Sequence, residues 1–592
     1  MKLAMVLPLF SEHYFRDYLG INLIVKSLEQ NKYQVDCIDL NEKIVSFLLS
    51  NKSILTQLIL SKKEDAGGRD SPYSKYFELY LNHILKYDTT QSLKENGLYD
   101  YFFKNVILHN FSTDIFQDES ALENYRQILD SIPVLDNFFS SVSKEFRENS
   151  YGAVLVSVPH NSQLISGLVF SKKLKSIDEN TKVILGGSTI TLMNNRVLKG
   201  YVKKGFFDYY IKYAGENKLS KLLADLKSKK EIDQAALTKK AYVDINSQTI
   251  DFRPEFKKAS VPVLYSRGCY WGKCSYCTYI YLDSGKFTRK KLEVLLSELE
   301  QFSGKPVRIS LITESLTPHD ARIIAEGIIE RNIKVYWGSF IRVNPAFNAS
   351  IFSLLRKSGC IFSCVGVESA NDKILDFFNK GYTKKDVYTF FQAAKEARYR
   401  FFQVNFMYDS HVASLDDELD NIAFISEFRE IIGNIAFFNL EITKKSYLGR
   451  NLKEFNIKID HNSSKKAIRV DNIPFVPSLN EKESNLVERS YEIAGEYFIG
   501  RDIKSAIKTL LEHEHKTLPI SGKVLFEYND SYYLGSLKSP LIAEISKERF
   551  TALISSEKLQ IKDLLKEDLF QLFELKILNT DDIFWDKSEG VL

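Results

Sequence analysis

The sequence predicts an α/β protein with three parts: an N-terminal doubly wound, Rossmann-like domain, a partial (β/α)6 barrel, and a small C-terminal α+β module. Three observations carry that prediction. Apolar, β-rich runs alternate with segments of helical period across residues 1–227 and again across 261–450. The N-terminal strands end in glycine turns, Gly186-Gly187-Ser188 and Ala214-Gly215-Glu216. Beyond Arg450 the alternation is lost.

Taken in order, Lys2 to Leu7 is a continuous apolar strand, Tyr14 to Gln30 has helical spacing, and Gln34 to Leu40 is β-rich. From about 41 to 149 the chain turns helical and rich in Phe and Tyr, broken by the loop Ala66 to Pro72, which reads as an insertion after the second strand. Alternation then resumes with a strand Gly152 to Val158, a helix Leu164 to Ser176, a strand Lys182 to Leu185 and a strand Phe207 to Tyr213. A polar, Lys-rich stretch, 228–260, reads as a linker.

Barrel strands are expected at Val261 to Ser266, Val307 to Thr313, Ile333 to Ser339, Ile361 to Val367, Phe402 to Tyr408 and Asn434 to Ile442. The helices between them carry start and stop signals: Thr317-Pro318, Asn348 with Gly359, and the capping boxes Thr383-x-x-Asp386 and Ser414-x-x-Asp417. Residues 451–592 read as a helix from Ser478 to His515, a hairpin from Lys523 to Leu537 turning at Asn529-Asp530, and helices Ser546 to Ser556 and Lys558 to Leu575. That pattern suits a winged-helix-like module.

Composition narrows the function. At 592 residues the chain exceeds one core. Its 80 basic and 76 acidic side chains are spread along the whole length, so no basic stripe indicates nucleic acid. The apolar start lacks a small-residue cleavage site and reads as a buried strand, and the best membrane candidate, Ile44 to Leu60, is broken by Asn51-Lys52-Ser53. Six cysteines cannot make a disulfide framework for a chain of this length, so a reducing, cytoplasmic setting is expected.

Three of those six lie within nine residues, in Tyr265-Ser-Arg-Gly-Cys269-Tyr-Trp-Gly-Lys-Cys274-Ser-Tyr-Cys277. Three thiolates from one loop can hold an iron–sulfur cluster with one iron left open. Structural zinc, which takes four protein ligands, and inert thiols are the alternatives. Cys360 and Cys364, on the fourth barrel strand, read as small buried hydrophobes.

Directly after the first barrel strand, this run resembles the cluster loop of radical S-adenosylmethionine (SAM) enzymes, with four rather than the commoner three residues between Cys269 and Cys274. The resemblance implies a [4Fe–4S] cluster on Cys269, Cys274 and Cys277, with SAM chelating the open iron. It also implies SAM contacts at Tyr276, Glu314, Ser315, Arg342, Glu368, Ser369 and Asn405, where Gly366-Val-Glu368-Ser369 resembles the Gly-x-Glu-Ser of the methylthio and cobalamin branches. A helix cap is the plainer role for Glu368, and solvation for Arg342.

The domain ahead of the barrel resembles the cobalamin-binding domain of a large class of these enzymes. On that resemblance Pro8, Gly20, Ser157, Gly186, Gly187, Ser188, Gly215 and Glu216 face the corrin. No Asp-x-His-x-x-Gly occurs, so a histidine-ligated cobalt is not implied; His160 is the nearest candidate for that face. The implied activity is cobalamin-dependent C-methylation of an unactivated carbon in a natural-product or peptide substrate, with flavodoxin or ferredoxin as electron donor. Rearrangement or cyclisation without methyl transfer, a non-catalytic iron–sulfur or cobalamin sensor, and leader-peptide recognition by the C-terminal module stay open.

Overall fold

In the computed structural model the described residues are all but 12–17, 66–71, 96–97, 104–105, 107–131, 241–242, 254–259, 280–285, 400, 461–471, 496–516, 520–522, 529, 537–538, 555–557, 561–571 and 573–592. They group into two compact units. One comprises described residues within 1–39 and 139–496, the other those within 40–115, 126–138 and 497–592.

In the first unit, β1 (Lys2–Leu7), β2 (Gln34–Asp39), β3 (Ala153–Ser157), β4 (Lys182–Gly186) and β5 (Tyr209–Tyr210) form a parallel sheet in the order β2-β1-β3-β4-β5. Its central strands read as unbroken apolar runs because helices cover both faces. On one side Ile21, Val25 and Leu28 of the Leu19–Gln30 helix and Leu219, Leu222 and Leu223 of the Glu216–Lys227 helix pack on Leu3, Met5 and Leu155. The strand order reverses between β1 and β3, which opens a crevice at the C-terminal strand ends there.

The presumed insertion is shorter than its helical composition suggests. The Pro133–Glu148 helix brings Phe139 and Phe146 against Phe170, so its second half belongs to the sheet. β5 is shorter than the apolar run Phe207 to Tyr213. The Gln234 side chain takes Tyr210 N–H (3.4 Å) and donates to Tyr210 C=O (2.7 Å), while Lys212 N–H donates to Leu237 C=O. The segment expected to be a linker therefore closes the sheet edge. Further along it Ile245 and Ile250 are buried, Ile250 N–H donates to Glu298 Oε1 (2.6 Å) and Lys290 Nζ to Gln248 C=O (2.9 Å), which makes this stretch an ordered strap on the barrel.

The barrel has six parallel strands in the order β13-β12-β11-β10-β9-β6, namely β6 (Ser260–Leu264), β9 (Arg308–Leu316), β10 (Tyr336–Ile341), β11 (Cys360–Glu368), β12 (Phe402–Tyr408) and β13 (Ile432–Asn439). Both capping boxes form, and Thr317 and Asn348 cap their helices as expected. Strand period separates the faces. Ser363 bonds Tyr399 (2.7 Å) and Phe402 meets Phe352, Phe390 and Phe391, so these point at the helices. Cys364, level with Phe340 and Gln403, points into the lumen.

A helix over residues 481–495 closes the outer layer. Its Tyr491 is fully buried, stacks on Phe437 (centroids 5.2 Å apart) and accepts a bond from Asn421 Nδ2 (2.8 Å). Beside it the Glu418 carboxyl is 1% exposed and Oε1 lacks a partner. Burial and then Asp409 push its pKa up to about 8. A carboxyl raised on folding binds more protons folded than unfolded, so stability falls as pH climbs from the ordinary carboxylate range toward 8. Glu418→Gln is expected to raise the melting temperature at pH 8 and leave it unchanged near pH 4; an equal shift at both pH values would refute this assignment.

The second unit joins helices Leu40–Ser50, Lys52–Asp65, Pro72–Ile84, Thr90–Glu95 and Tyr99–Phe102 to C-terminal strands. Strands Lys523–Tyr528, Ser531–Ser536 and Ser539–Ile545 form an antiparallel sheet, and strand Thr517–Pro519 pairs with strand Lys558–Gln560. Tyr76 donates to Ser536 C=O (2.6 Å), and a Cβ on Gly535 would lie 3.0 Å from the Tyr76 ring. Insertion and C-terminus therefore share one body, in place of the separate C-terminal module expected. The expected helix from Lys558 opens as strand, because Leu559 pairs with Leu518; its remainder lies largely outside the described residues.

Candidate cluster and SAM site

The cysteine loop leaves β7 (Ser266–Arg267), which pairs with β8 (Thr288–Arg289), and turns at Gly268, φ +73°, where a Cβ would sit 2.8 Å from Lys286 C=O. Its far side is fastened to the segment after the Asp372–Phe377 helix. Ser275 N–H donates to Phe378 C=O (3.0 Å), Ser275 Oγ to Phe377 C=O (2.8 Å), Trp271 Nε1 to Asn379 C=O (2.9 Å) and Asn379 Nδ2 to Lys273 C=O (2.9 Å). These bonds, one between backbones and three from side chains to backbone carbonyls, fix the loop.

Gly381 completes the seat at φ +66°, where a Cβ would lie 2.1 Å from two Trp271 ring carbons. Gly381→Ala both strains the left-handed backbone and unseats Trp271. It is expected to cut iron retained after reconstitution severalfold, measured per chain; full retention would show that the seat does not matter.

Cys269 lies near enough to Cys274 and Cys277 to help raise the pKa of both. Burial comes first for both Cys274 and Cys277 and pushes Cys277 up to about 12, while Lys380 and Arg342 pull Cys274 down. Among the described residues no three His, Cys, Asp or Glu side chains converge as one single-ion site. Zinc–sulfur bonds of about 2.3 Å would draw the sulfurs of such a site within roughly 4 Å of one another. The cysteines of a cubane cluster each take a different iron and stand farther apart.

Beside Cys277, Tyr276 OH donates to Glu368 Oε1 (2.9 Å) at the end of β11. Lys380 Nζ reaches the same oxygen (3.2 Å) and lies 3.5 Å from Tyr276 OH. Glu368 adopts φ +65°, and its Oε1 lies so close to where a Gly366 Cβ would be that a side chain there would push the carboxylate out of this position. Glu368 is no helix cap; Asn371 fills that role, accepting from Lys373 N–H.

Arg342 is equally placed. Its guanidinium lies over Trp271 (4.3 Å) and Tyr382 (4.9 Å), is 9% exposed, and has Nε and Nη2 without partners. Ser315 Oγ, on the adjoining strand end, is likewise buried and unpartnered; Leu316 next to it pairs with Ile341. Buried donors are ordinarily satisfied, so the Arg342 guanidinium fits an anionic group such as the SAM carboxylate.

Other predicted contacts sit differently. Glu314 is half-buried at the end of β9. Asn405 lies deeper in the lumen, its Nδ2 3.4 Å from Cys364 Sγ. Ser369 is fully buried and directed at Asn421 Oδ1 (3.2 Å), a supporting position. Lys380, Trp271 and Tyr382 were not singled out, because nothing local in sequence joins residues about a hundred positions apart; the left-handed Gly381 after Lys380 was the only clue.

In the N-terminal sheet, Pro8 follows β1, and Ser157 and Gly186 are register partners. Gly187, φ +106°, passes so close to Val158 C=O that a Cβ would lie 2.5 Å from it. Ser188 Oγ donates to Pro159 C=O, Gly20 is exposed, and His160 lies 5.9 Å from the Tyr18 ring. Glu216, next to Gly215, is turned elsewhere: it accepts from Gln248 Nε2 (2.5 Å) and pairs with Arg267 (3.6 Å) at the root of the cysteine loop.

Residues 263–411 match the model of the radical SAM superfamily. A bacteriochlorophyllide d C-12(1)-methyltransferase of Chlorobaculum tepidum is 29% identical over 22% of this chain and 29% of that protein. An uncharacterized methyltransferase of Pyrococcus horikoshii is 23% identical over 44% and 61%. The chain thus spans less than two thirds of either relative. Among solved structures, the radical SAM methyltransferase TsrM from Kitasatospora setae, with tryptophan substrate and a SAM analog, aligns at TM-score 0.54 and 11% identity, covering 83% of this chain and 89% of that one. OxsB, a cobalamin-dependent SAM radical enzyme bound to aqua-cobalamin and SAM, aligns at 0.52 and 14%, covering 100% and 81%. With its three cysteines on a six-stranded barrel and that superfamily match around them, residues 263–411 form a radical SAM domain, and the chain shares the fold of TsrM and OxsB.

Proposed function

We propose that the chain is a cobalamin-dependent radical SAM methyltransferase that acts on an unactivated carbon of a natural-product or peptide substrate. The observation that carries this reading is the mouth of the barrel, where the cysteine loop, the Tyr276–Glu368–Lys380 cluster and the unpartnered Arg342 stand together. Cys269, Cys274 and Cys277 would hold the cluster, Arg342 and Ser315 the SAM carboxylate, and Glu368 with Tyr276 its nucleoside side. The crevice between β1 and β3, edged by Pro8, Ser157, Gly186 and Gly187, would hold the corrin.

When bound, the cluster with SAM supplies a 5′-deoxyadenosyl radical and cobalamin supplies the methyl group. The chain's own residues orient and shield. Burial of Glu368 and Lys380 keeps water from the SAM pocket, and the Glu216–Arg267 pair ties the N-terminal sheet to the cysteine loop, fixing one cofactor site against the other. Support for methyl transfer comes from both curated relatives and TsrM carrying that activity in their names.

The test is anaerobic reconstitution with SAM carrying a deuterated methyl group, dithionite and candidate substrates. Labelled product together with 5′-deoxyadenosine is expected. 5′-Deoxyadenosine with unlabelled product would favour rearrangement or cyclisation, and none of it with any substrate would leave a sensor. No helix among the described residues is long and apolar enough to cross a membrane.

A further inference from the structure

We infer that Lys380 is a positioning residue for SAM: it holds the Glu368 carboxylate and the Tyr276 hydroxyl in the arrangement that receives the cofactor. This rests on the SAM site proposed above. Lys380 is 5% exposed and its Nζ lies within hydrogen-bonding distance of both groups, 3.2 Å from Glu368 Oε1 and 3.5 Å from Tyr276 OH. It also lies over the rings of Tyr276 (5.9 Å) and Tyr382 (5.6 Å), and Tyr382 is itself anchored by a bond from its OH to Gly366 C=O (2.8 Å).

One ammonium therefore joins three elements: the cysteine loop through Tyr276, the end of β11 through Glu368, and the turn that closes on Trp271 through Gly381. Glu368 sits at φ +65°, a conformation costly for a residue with a side chain, and such a conformation persists only where surrounding contacts impose it. The ion pair with Lys380 and the bond from Tyr276 are those contacts. Removing one partner of a buried pair leaves the other charge uncompensated, so the carboxylate would turn away. Its SAM-binding orientation would then be lost, while the cluster ligands are untouched.

The experiment uses full-length protein, anaerobically reconstituted, in five forms: wild type, Lys380→Met, Lys380→Arg, Glu368→Gln and the Lys380→Met/Glu368→Gln double variant. SAM affinity is measured by equilibrium dialysis, and the reduced cluster's electron paramagnetic resonance spectrum is recorded with and without SAM. Lys380→Met is expected to keep its iron, weaken SAM binding roughly tenfold or more and lose the SAM-induced spectral change. Lys380→Arg, retaining the charge, restores most of it, and the double variant binds no worse than Glu368→Gln alone. Wild-type affinity in Lys380→Met, or additive losses in the double variant, would overturn the assignment. If Lys380→Met does not fold, Lys380→Arg against Glu368→Gln decides: arginine binding SAM as poorly as the Glu368 variant overturns it. A wild-type protein that holds iron yet binds no SAM overturns the reading of the site itself, a result distinct from a Lys380 variant that binds normally.

Discussion

Alanine at any one of Cys269, Cys274 or Cys277 reduces 5′-deoxyadenosine formation to background and lowers iron bound after reconstitution, with the chain still folded. Each thiol holds one iron in the proposed cluster and the loop offers no substitute nearby, since Cys360 and Cys364 lie on β11, Cys360 beside Tyr399 Oη (3.2 Å) in the helix layer. Cys360→Ala is the control and keeps full iron. Iron quantification with circular dichroism checks both; a loop variant that retains iron and activity would remove that cysteine from the ligand set.

Tyr491→Ala is expected to cost about 3–5 kcal/mol, the range for truncating a large buried aromatic. The ring is fully buried between Phe406, Tyr408 and Phe437, and its hydroxyl accepts from Asn421, which in turn receives Ala370 N–H (2.6 Å) behind the Glu368 strand end. Tyr491→Phe keeps the stacking and loses one hydrogen bond, about 1 kcal/mol. Urea unfolding should show a clearly lower midpoint for alanine and a small shift for phenylalanine. Equal shifts for the two would mean that the hydroxyl, and not the packing, holds this helix.

Elements governed by local rules were legible in the sequence. β1 falls at Lys2–Leu7 as expected because its apolar run is continuous, β12 at Phe402–Tyr408 because its apolar residues alternate with Gln403 and Asn405, and the Thr383 and Ser414 capping boxes form because both partners lie within one turn. Features built by tertiary pairing were not. Residues 234–240 and 243–250 are polar in sequence, yet they are held by Tyr210, Glu216, Arg267 and Glu298 from distant positions. The union of the insertion with the C-terminal strands depends on Tyr76 and Ser536, which no periodicity links. At the site, the cysteine spacing and the Gly-x-Glu-Ser at β11 were readable, whereas Lys380 became visible only once the fold brought it to Glu368.

The proposed function requires one chain to hold a radical-generating cluster and a corrin together. Full-length protein, reconstituted anaerobically with iron, sulfide and cobalamin and freed of excess, should contain about four irons and one corrin per chain by metal analysis and absorption. Iron without corrin would contradict the role given to the β1–β3 crevice, and protein without iron would contradict the cluster at Cys269, Cys274 and Cys277.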